Sequence, residues 1–219
     1  MHVLKHTLAS SPYVGLFGLL TDEMFLAPPH LRASEEKELK EFFSPFSWIP
    51  ATIASTPLLG VLAVGLGRKI AVGDLLEARE VAHLEKESIE VLQVEGLSAI
   101  GNLVAVCEKG GIASPSVSEP ELGTLQEFFR VPFFRLRIGK SDLSGSNLVL
   151  TGKGYVACPQ LSPEEAKSLQ SSLNLPGRPT TLNYGDRFVH HSLVANKTHA
   201  LIGEHTTPHE LVRVEDALF

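Results

Sequence analysis

Two cysteines and a run of histidines are the residues of this chain best suited to chemistry. Cys107 and Cys158 are the only cysteines, and neither stands beside a basic residue in the sequence that would stabilise a thiolate. Two cysteines also make a poor disulfide framework, which indicates a reducing interior. The sequence therefore favours two structural thiols over a nucleophile.

The histidines are concentrated near the C-terminus. Five of the nine lie in the last thirty residues: His190, His191, His199, His205 and His209. His205 precedes a helix predicted to be capped by Thr207, whereas His209 lies inside it, so the two do not share a helical face as a zinc pair would. We therefore predict solvated loop histidines, no metal site and no cofactor, and an interface sensitive to mild acid wherever these residues take part in one.

Two glycine patterns resemble fragments of known motifs. The segment 65–67 (GLG) follows an apolar run, but it lacks the third glycine and the helix of a dinucleotide loop. The segment 96–101 (GLSAIG) is one residue too long for a nucleophile elbow. Hairpin turns and corners explain both patterns.

A repeat of about 44 residues organises the whole chain. Glycines open the first four apolar runs, at Gly15, Gly60, Gly101 and Gly145, and His190 opens a fifth. These starts are 45, 41, 44 and 45 residues apart. We attribute the glycines to corners that need a positive φ angle. Because repeats define a fold before any single element does, this period is the main structural signal.

Each unit is predicted to contain a hairpin, a helix and a further strand. Ser118, Ser162 and Thr207 each begin a capping box followed by proline, and Asp74 and Ser34 are weaker candidates for the other two helices. The fifth unit reaches the end of the sequence without its last strand, and the strand-like run 2–8 can supply it. The sequence therefore predicts an α/β fold, a closed five-bladed propeller formed by one domain over 1–219, instead of an open solenoid.

Composition excludes two classes of protein. The net charge of −6 speaks against binding to a phosphate backbone. If the protein binds a ribonucleoprotein assembly, we expect it to contact a basic protein surface there. The uncharged stretch 42–67 is long enough to span a bilayer, but Pro45, Pro50 and Pro57 interrupt it. The N-terminal residues lack the apolar run of a secretion signal. We expect no membrane segment and a cytoplasmic protein.

The repeat also makes a family resemblance specific. The segments 97–102 (LSAIGN), 109–115 (KGGIASP) and 205–218 (HTTPHELVRVEDAL) resemble the translation initiation factor six family, in the form found in archaea. The resemblance implies the pentein type of propeller. It further implies a factor that binds ribosomal proteins on the intersubunit face of the large ribosomal subunit, near the factor-binding loop of the large rRNA. Such a factor blocks small-subunit joining, accompanies large-subunit maturation and is removed by a release system; we expect it to be a monomer.

The resemblance ties one corner, Gly101–Asn102, to the ribosome-facing surface, and fivefold geometry gathers the equivalent residues of the other units at the same end. The candidate ribosome-binding residues are Gly60, Val61, Gly101, Asn102, Glu108, Gly145, Ser146 and His191. The family's eukaryotic members carry arginine at Val61 and an acidic residue at Glu108. Asn102 has the alternative role of a turn residue bonded to local backbone. We expect Asn102→Arg or Gly101→Asp to weaken binding with little effect on thermal unfolding.

The pentein ring also contains enzymes that modify guanidino groups, which is the alternative function. Those enzymes need a late nucleophilic cysteine beside a histidine and an acidic pair, and no cysteine follows Cys158. A ring-shaped scaffold for some other partner is the second alternative. The sequence therefore predicts a binding protein without catalytic residues.

Overall fold

In a computed structural model that describes residues 2–219, the chain forms five three-stranded sheets whose inner strands contact one another in a closed cycle. The strands are β1 (His2–His6), β2 (Leu19–Leu20), β3 (Met24–Ala27), β4 (Ser47–Pro50), β5 (Ala63–Leu66), β6 (Lys69–Val72), β7 (Glu90–Gln93), β8 (Val104–Cys107), β9 (Gly110–Ala113), β10 (Phe133–Arg135), β11 (Leu148–Leu150), β12 (Tyr155–Ala157), β13 (Gly177–Pro179), β14 (Leu193–Ala195) and β15 (His199–Gly203).

Short helical turns and longer helices alternate with these strands. The helices are α1 (Val14–Phe17), α2 (Ala33–Phe42), α3 (Leu59–Leu62), α4 (Ala78–Lys86), α5 (Ile100–Leu103), α6 (Glu119–Phe129), α7 (Pro163–Leu173) and α8 (Pro208–Leu218), with a 3₁₀ turn at Val189–Ser192. In each unit the inner and middle strands form an antiparallel hairpin. The helix then carries the chain back to an outer strand parallel to the middle one, as in β5, β6, α4 and β7. This is the predicted hairpin, helix and strand.

The ring closes between the two ends of the chain. β1 pairs in parallel with β15, in a register that runs from His2 opposite His199 to His6 opposite Gly203. The N-terminal strand thus supplies the outer strand of the fifth sheet, as predicted, and the closed five-bladed α/β propeller of the pentein type is confirmed. Closure leaves the middle strands buried, which is why they are apolar instead of alternating.

The hydrophobic core lies between neighbouring blades. One cluster joins Met24 and Ile49 of the first blade to Ile70 and Leu84 of the second, all at most 2% exposed. The remaining clusters are built in the same way around the ring. A blade therefore buries its apolar faces only when both neighbours are present.

Two of the five predicted helix caps are wrong. The first long helix is capped at Arg32 instead of Ser34, and the second at Glu77 instead of Asp74. The capping boxes at Ser118, Ser162 and Thr207 are confirmed. The observed caps are 45, 41, 44 and 45 residues apart, the same intervals as the corners.

A glutamate stands at the third residue of each of the five long helices. These glutamates are Glu35, Glu80, Glu121, Glu165 and Glu210. The Glu80 carboxylate accepts hydrogen bonds from the backbone N–H groups of Ala54 and Ser55, both at 2.9 Å, and from Thr52 Oγ1 at 2.6 Å. Ala54 and Ser55 have φ angles of 53° and 59°, which turns successive N–H groups toward one anion. Glu35, Glu165 and Glu210 bind the equivalent turns, so this contact fixes four of the five long helices to the linker that enters their own blade; Glu121 bonds only to Ser118 N of its own cap.

Removing the charge of Glu80 should destabilise the ring. Burial raises the pKa of this carboxyl, but hydrogen bonds from Thr52 and from the backbone outweigh it and leave the pKa below 4.5. A lowered pKa stabilises the folded state above the unfolded value and loses that stabilisation as pH falls through the folded one. We expect Glu80→Gln to lower the free energy of unfolding by about 1–3 kcal/mol at neutral pH and to flatten its acid dependence.

Urea unfolding at a series of pH values measures both effects. Glu85→Gln, an exposed change on the same helix, is the control and should alter neither. Equal stability of the two variants at pH 7 would contradict the proposed anchoring role of Glu80.

Candidate functional site

The corners at one end of the ring are built from main chain pressed against main chain. A Cβ atom on Gly60 would lie 1.9 Å from the carbonyl oxygen of Gly15, and one on Gly101 would lie 2.0 Å from that of Gly60. Gly145 meets Gly101 at 2.4 Å, and Gly15 meets the carbonyl of His190 at 1.6 Å. None of these four glycines has a positive φ angle, so the sequence-based explanation was wrong. The corners need glycine because no side chain fits between them.

The fifth corner carries an imidazole where the others carry no side chain. His190 N donates to the carbonyl of Ser146 at 3.2 Å, and its ring lines an axial cavity of about 80 Å³ bounded by the inner strands. Its Nδ1 is buried without a hydrogen-bond partner. Burial, and secondarily the nearby His191, lowers the pKa of His190 to about 4. His190 and His199, which is 6% exposed, are therefore not the solvated histidines that the sequence predicted.

Asn102 connects the third corner to the fourth. Its Oδ1 accepts a hydrogen bond from Ser146 Oγ at 2.9 Å, and its carbonyl accepts one from Ser146 N at 3.1 Å. The side-chain bond therefore crosses to the next unit instead of closing on local backbone. Ser146 is only 1% exposed, whereas Asn102 is half-buried and keeps one side open to solvent.

His191 lies in a small polar and aromatic group at the fifth corner. Its Nδ1 is 3.7 Å from Asp186 Oδ2, and its ring stacks on Phe188 with centroids 4.9 Å apart. The Arg187 guanidinium is 4.6 Å from the Phe188 ring. Burial raises the pKa of Asp186, but the nearby His191 and a hydrogen bond from Phe188 N outweigh it, so the pKa lies below its usual value. The fifth corner is thus chemically unlike the others.

Seven of the eight predicted site residues lie at the corner end, and Glu108 does not. It follows the last residue of β8, a strand of four residues or about 13 Å, and so reaches the opposite end of the axis. There its carboxylate binds Lys197 Nζ at 2.8 Å, and Lys197 also binds Asp22 at 2.9 Å. The hydrogen bonds to Glu108 and Asp22 raise the pKa of Lys197. Strand direction, which the repeat spacing alone does not resolve, separates Glu108 from the corners.

The corner end carries a run of largely apolar side chains, bordered by the charged residues Asp142 and Arg187. We call its exposed and half-buried residues the corner surface: Tyr13, Leu16, Leu58, Val61, Ala99, Asn102, Leu143 and His191. Six of these eight are apolar, and Tyr13 and Leu143 are each 41% exposed. An apolar patch formed by consecutive repeats marks a binding surface more often than isolated exposed residues do.

The two cysteines, the other residues suited to chemistry, are buried. Cys107 and Cys158 are at most 3% exposed, and burial raises the pKa of both thiols. Across residues 2–219, no three His, Cys, Asp or Glu side chains come together in a way that could hold a metal. Over the same range, no helix is long and apolar enough to cross a bilayer; the stretch 42–67 instead contains β4, α3 and β5.

Comparisons with known proteins identify a family and several relatives. A family model described as "eIF-6 family" matches residues 3–217. Relatives include translation initiation factor 6 of Natronomonas pharaonis, 34% identical over 99% of this chain and 98% of its own length, and that of Methanospirillum hungatei, 28% identical over 97% and 96%. The eukaryotic translation initiation factor 6 of Toxoplasma gondii is 30% identical over 94% of this chain and 80% of its own.

A solved dimethylarginine dimethylaminohydrolase adduct with S-methyl-L-thiocitrulline aligns with 94% of this chain and 73% of its own, at a TM-score of 0.49 and 14% identity; that likeness is too loose to support an argument. The family match and the names of the relatives place this chain in the translation-factor class. Within that class, the chain belongs to the eIF-6 family.

Filling a corner should break the ring. Because a Cβ on Gly101 would lie 2.0 Å from the carbonyl oxygen of the preceding corner, Gly60, we expect Gly101→Ala to cost about 3 kcal/mol or more in unfolding free energy. Gly101→Asp should cost at least as much, so the expectation that this change leaves thermal unfolding nearly unaltered was wrong. Gly123→Ala is the control: it lies on α6 with nothing within 4 Å of the added Cβ and should stabilise by about 0.5–1 kcal/mol. Thermal unfolding of the three variants decides between these outcomes.

His190, whose Nδ1 is buried without a partner, should make stability fall in mild acid. Its folded pKa of about 4 lies below the unfolded value of 6.5, so the folded state disfavours the proton. The full contribution is present above pH 6.5 and is lost as pH falls from there to about 4. His190→Leu should flatten this dependence, whereas His205→Leu, an exposed change, should leave it as in the wild type. Denaturant midpoints between pH 4 and 7.5 test this, and identical profiles for wild type and His190→Leu would refute it.

Proposed function

We propose that this protein binds the large ribosomal subunit through the corner surface and prevents its premature association with the small subunit. The uncharged, largely apolar corner surface, carried by an acidic chain, is the observation that supports the proposal most directly. Occupying the intersubunit face excludes the small subunit sterically, so that no bond needs to be made or broken. Such a competitor requires only affinity and position.

The charge of the chain favours ribosomal proteins over rRNA as the direct partner. With a net charge of −6, contact with a phosphate backbone is unfavourable, whereas the basic proteins at the intersubunit face near the factor-binding rRNA loop are complementary. We further propose a cytoplasmic monomer, removed from the subunit by a separate release system.

The predicted site residues take distinct roles in this proposal. Gly60, Gly101 and Gly145 shape the surface by letting the main chains meet, and Val61, Asn102 and His191 offer side chains to the partner. Ser146 acts through its hydrogen bond to Asn102. Glu108 joins the far ends of the blades through Lys197 and serves the interface only indirectly.

A non-catalytic function fits the thiols better than the guanidino-modifying alternative does. The nucleophile of such an enzyme must be a reachable thiolate, whereas both thiols here are buried and their pKa values are raised. No arrangement of the described residues specifically favours that second function.

A charge placed on the corner surface should abolish the activity without unfolding the protein. Val61 is half-buried there, and we expect Val61→Asp to weaken co-sedimentation with the isolated large subunit at least tenfold and to restore subunit reassociation. Val212→Asp, on the α8 face where Val212 is 54% exposed, is the matched control and should bind like the wild type. The proposal would be refuted if the wild-type protein failed to bind the large subunit at low-micromolar concentration or failed to lower reassociation of the two subunits.

A further inference from the structure

One aromatic side chain stands out from the surface of the ring. Tyr184 is 84% exposed, and among residues 2–219 the next most exposed large apolar side chain is Val212 at 54%. It occupies the turn between β13 and the fifth corner, with a φ angle of 62°. A bulky residue in the left-handed region is strained, so the turn itself gives no reason for tyrosine.

The equivalent turns of other blades confirm that tyrosine is not needed for folding. The matching positions are Ser10, Ser55 and Lys140, with φ angles of 61°, 59° and 60°. All three adopt the same conformation with a small or flexible polar side chain. The aromatic ring is therefore specific to the fifth blade.

The turn that carries Tyr184 is held rigidly from several sides. Tyr184 N and Gly185 N donate to the two Glu210 oxygens at 3.3 and 3.0 Å. Asn183 Nδ2 donates to Pro12 O and to Ser192 Oγ, both at 2.7 Å. An exposed ring on a fixed base loses little conformational entropy on binding, which is the property of an interface anchor.

The same hydrogen bonds place the turn that carries Tyr184 beside the corner surface. Pro12 directly precedes Tyr13 of that surface, and Ser192 directly follows His191. Asn183, which contacts both, is the neighbour of Tyr184. The tyrosine therefore extends the corner surface at the junction of the fifth and first blades.

We propose that Tyr184 is an anchor residue of the docking surface and engages a basic protein surface of the large ribosomal subunit; this inference rests on the proposed function. Two acidic groups lie at the turn, Asp186 within it and the buried Glu210 bonded to it, against one exposed cation, Arg187. A tyrosine in such surroundings suits a lysine or arginine, through cation–π contact and charge attraction, better than it suits the phosphates beside an RNA base.

Replacing the ring should separate binding from stability. Tyr184→Asn keeps a residue that tolerates the left-handed conformation, so we expect unchanged or slightly raised thermal stability and at least a tenfold loss of affinity for the purified large subunit. Val212→Asn, which removes an exposed apolar side chain far along the sequence on α8, should leave affinity unchanged. Affinity measured by sedimentation, alongside unfolding temperature, gives both readouts.

A photocrosslinker identifies the partner. Benzoylphenylalanine in place of Tyr184 should crosslink to a ribosomal protein, and crosslinking to rRNA would overturn the proposal. If the wild type binds and the affinity of Tyr184→Asn is within twofold of it, the anchor role is overturned and the proposed function stands. Absence of wild-type binding would overturn both.

Discussion

The main-chain contact between successive corners is the constraint on which the ring depends. Each glycine α-carbon lies against the carbonyl of the preceding corner, so the inner strands that follow are brought together around a narrow axis. The inter-blade core clusters then form because neighbouring sheets are held at side-chain distance. A side chain at one of these positions would separate two blades and open the core between them.

The helix glutamates provide a second, peripheral attachment of the same repeat. The carboxylates of Glu35, Glu80, Glu165 and Glu210 each bind the turn that enters their blade, and so fix the start of a helix to that turn, whereas Glu121 bonds only within its own cap. A single glutamate is enough for this attachment, since it accepts hydrogen bonds from N–H donors that the turn would otherwise leave unpaired. Axis and periphery are thus connected in four of the five units, which gives a rigid body suited to steric exclusion.

Different interactions are found at the two ends of the axis. We assign partner binding to one end and a structural role to the other. At the corner end, uncharged main chain and apolar side chains meet solvent. At the hairpin end, Lys197 spans to Asp22 and Glu108 across the first and third blades. The fifth blade contributes the exceptions at both ends, with His190 in the axial cavity, Tyr184 beside the corners and Lys197 opposite. A repeat protein gains a specific face by making one unit unlike the rest.

The sequence by itself determined the repeat, the hairpins, three of the five caps and the closing strand, because these depend on spacing along the chain. The glutamates at 35, 80, 121, 165 and 210 carried the same spacing and could have corrected the other two caps. Only the tertiary structure decided why the corners are glycine, that Glu108 lies at the far end, that His190 Nδ1 is buried and that Asn102 bonds to Ser146. Each of these depends on the distance between residues about 40 or more positions apart. That distance is set by the diameter of the closed ring and not by any local pattern.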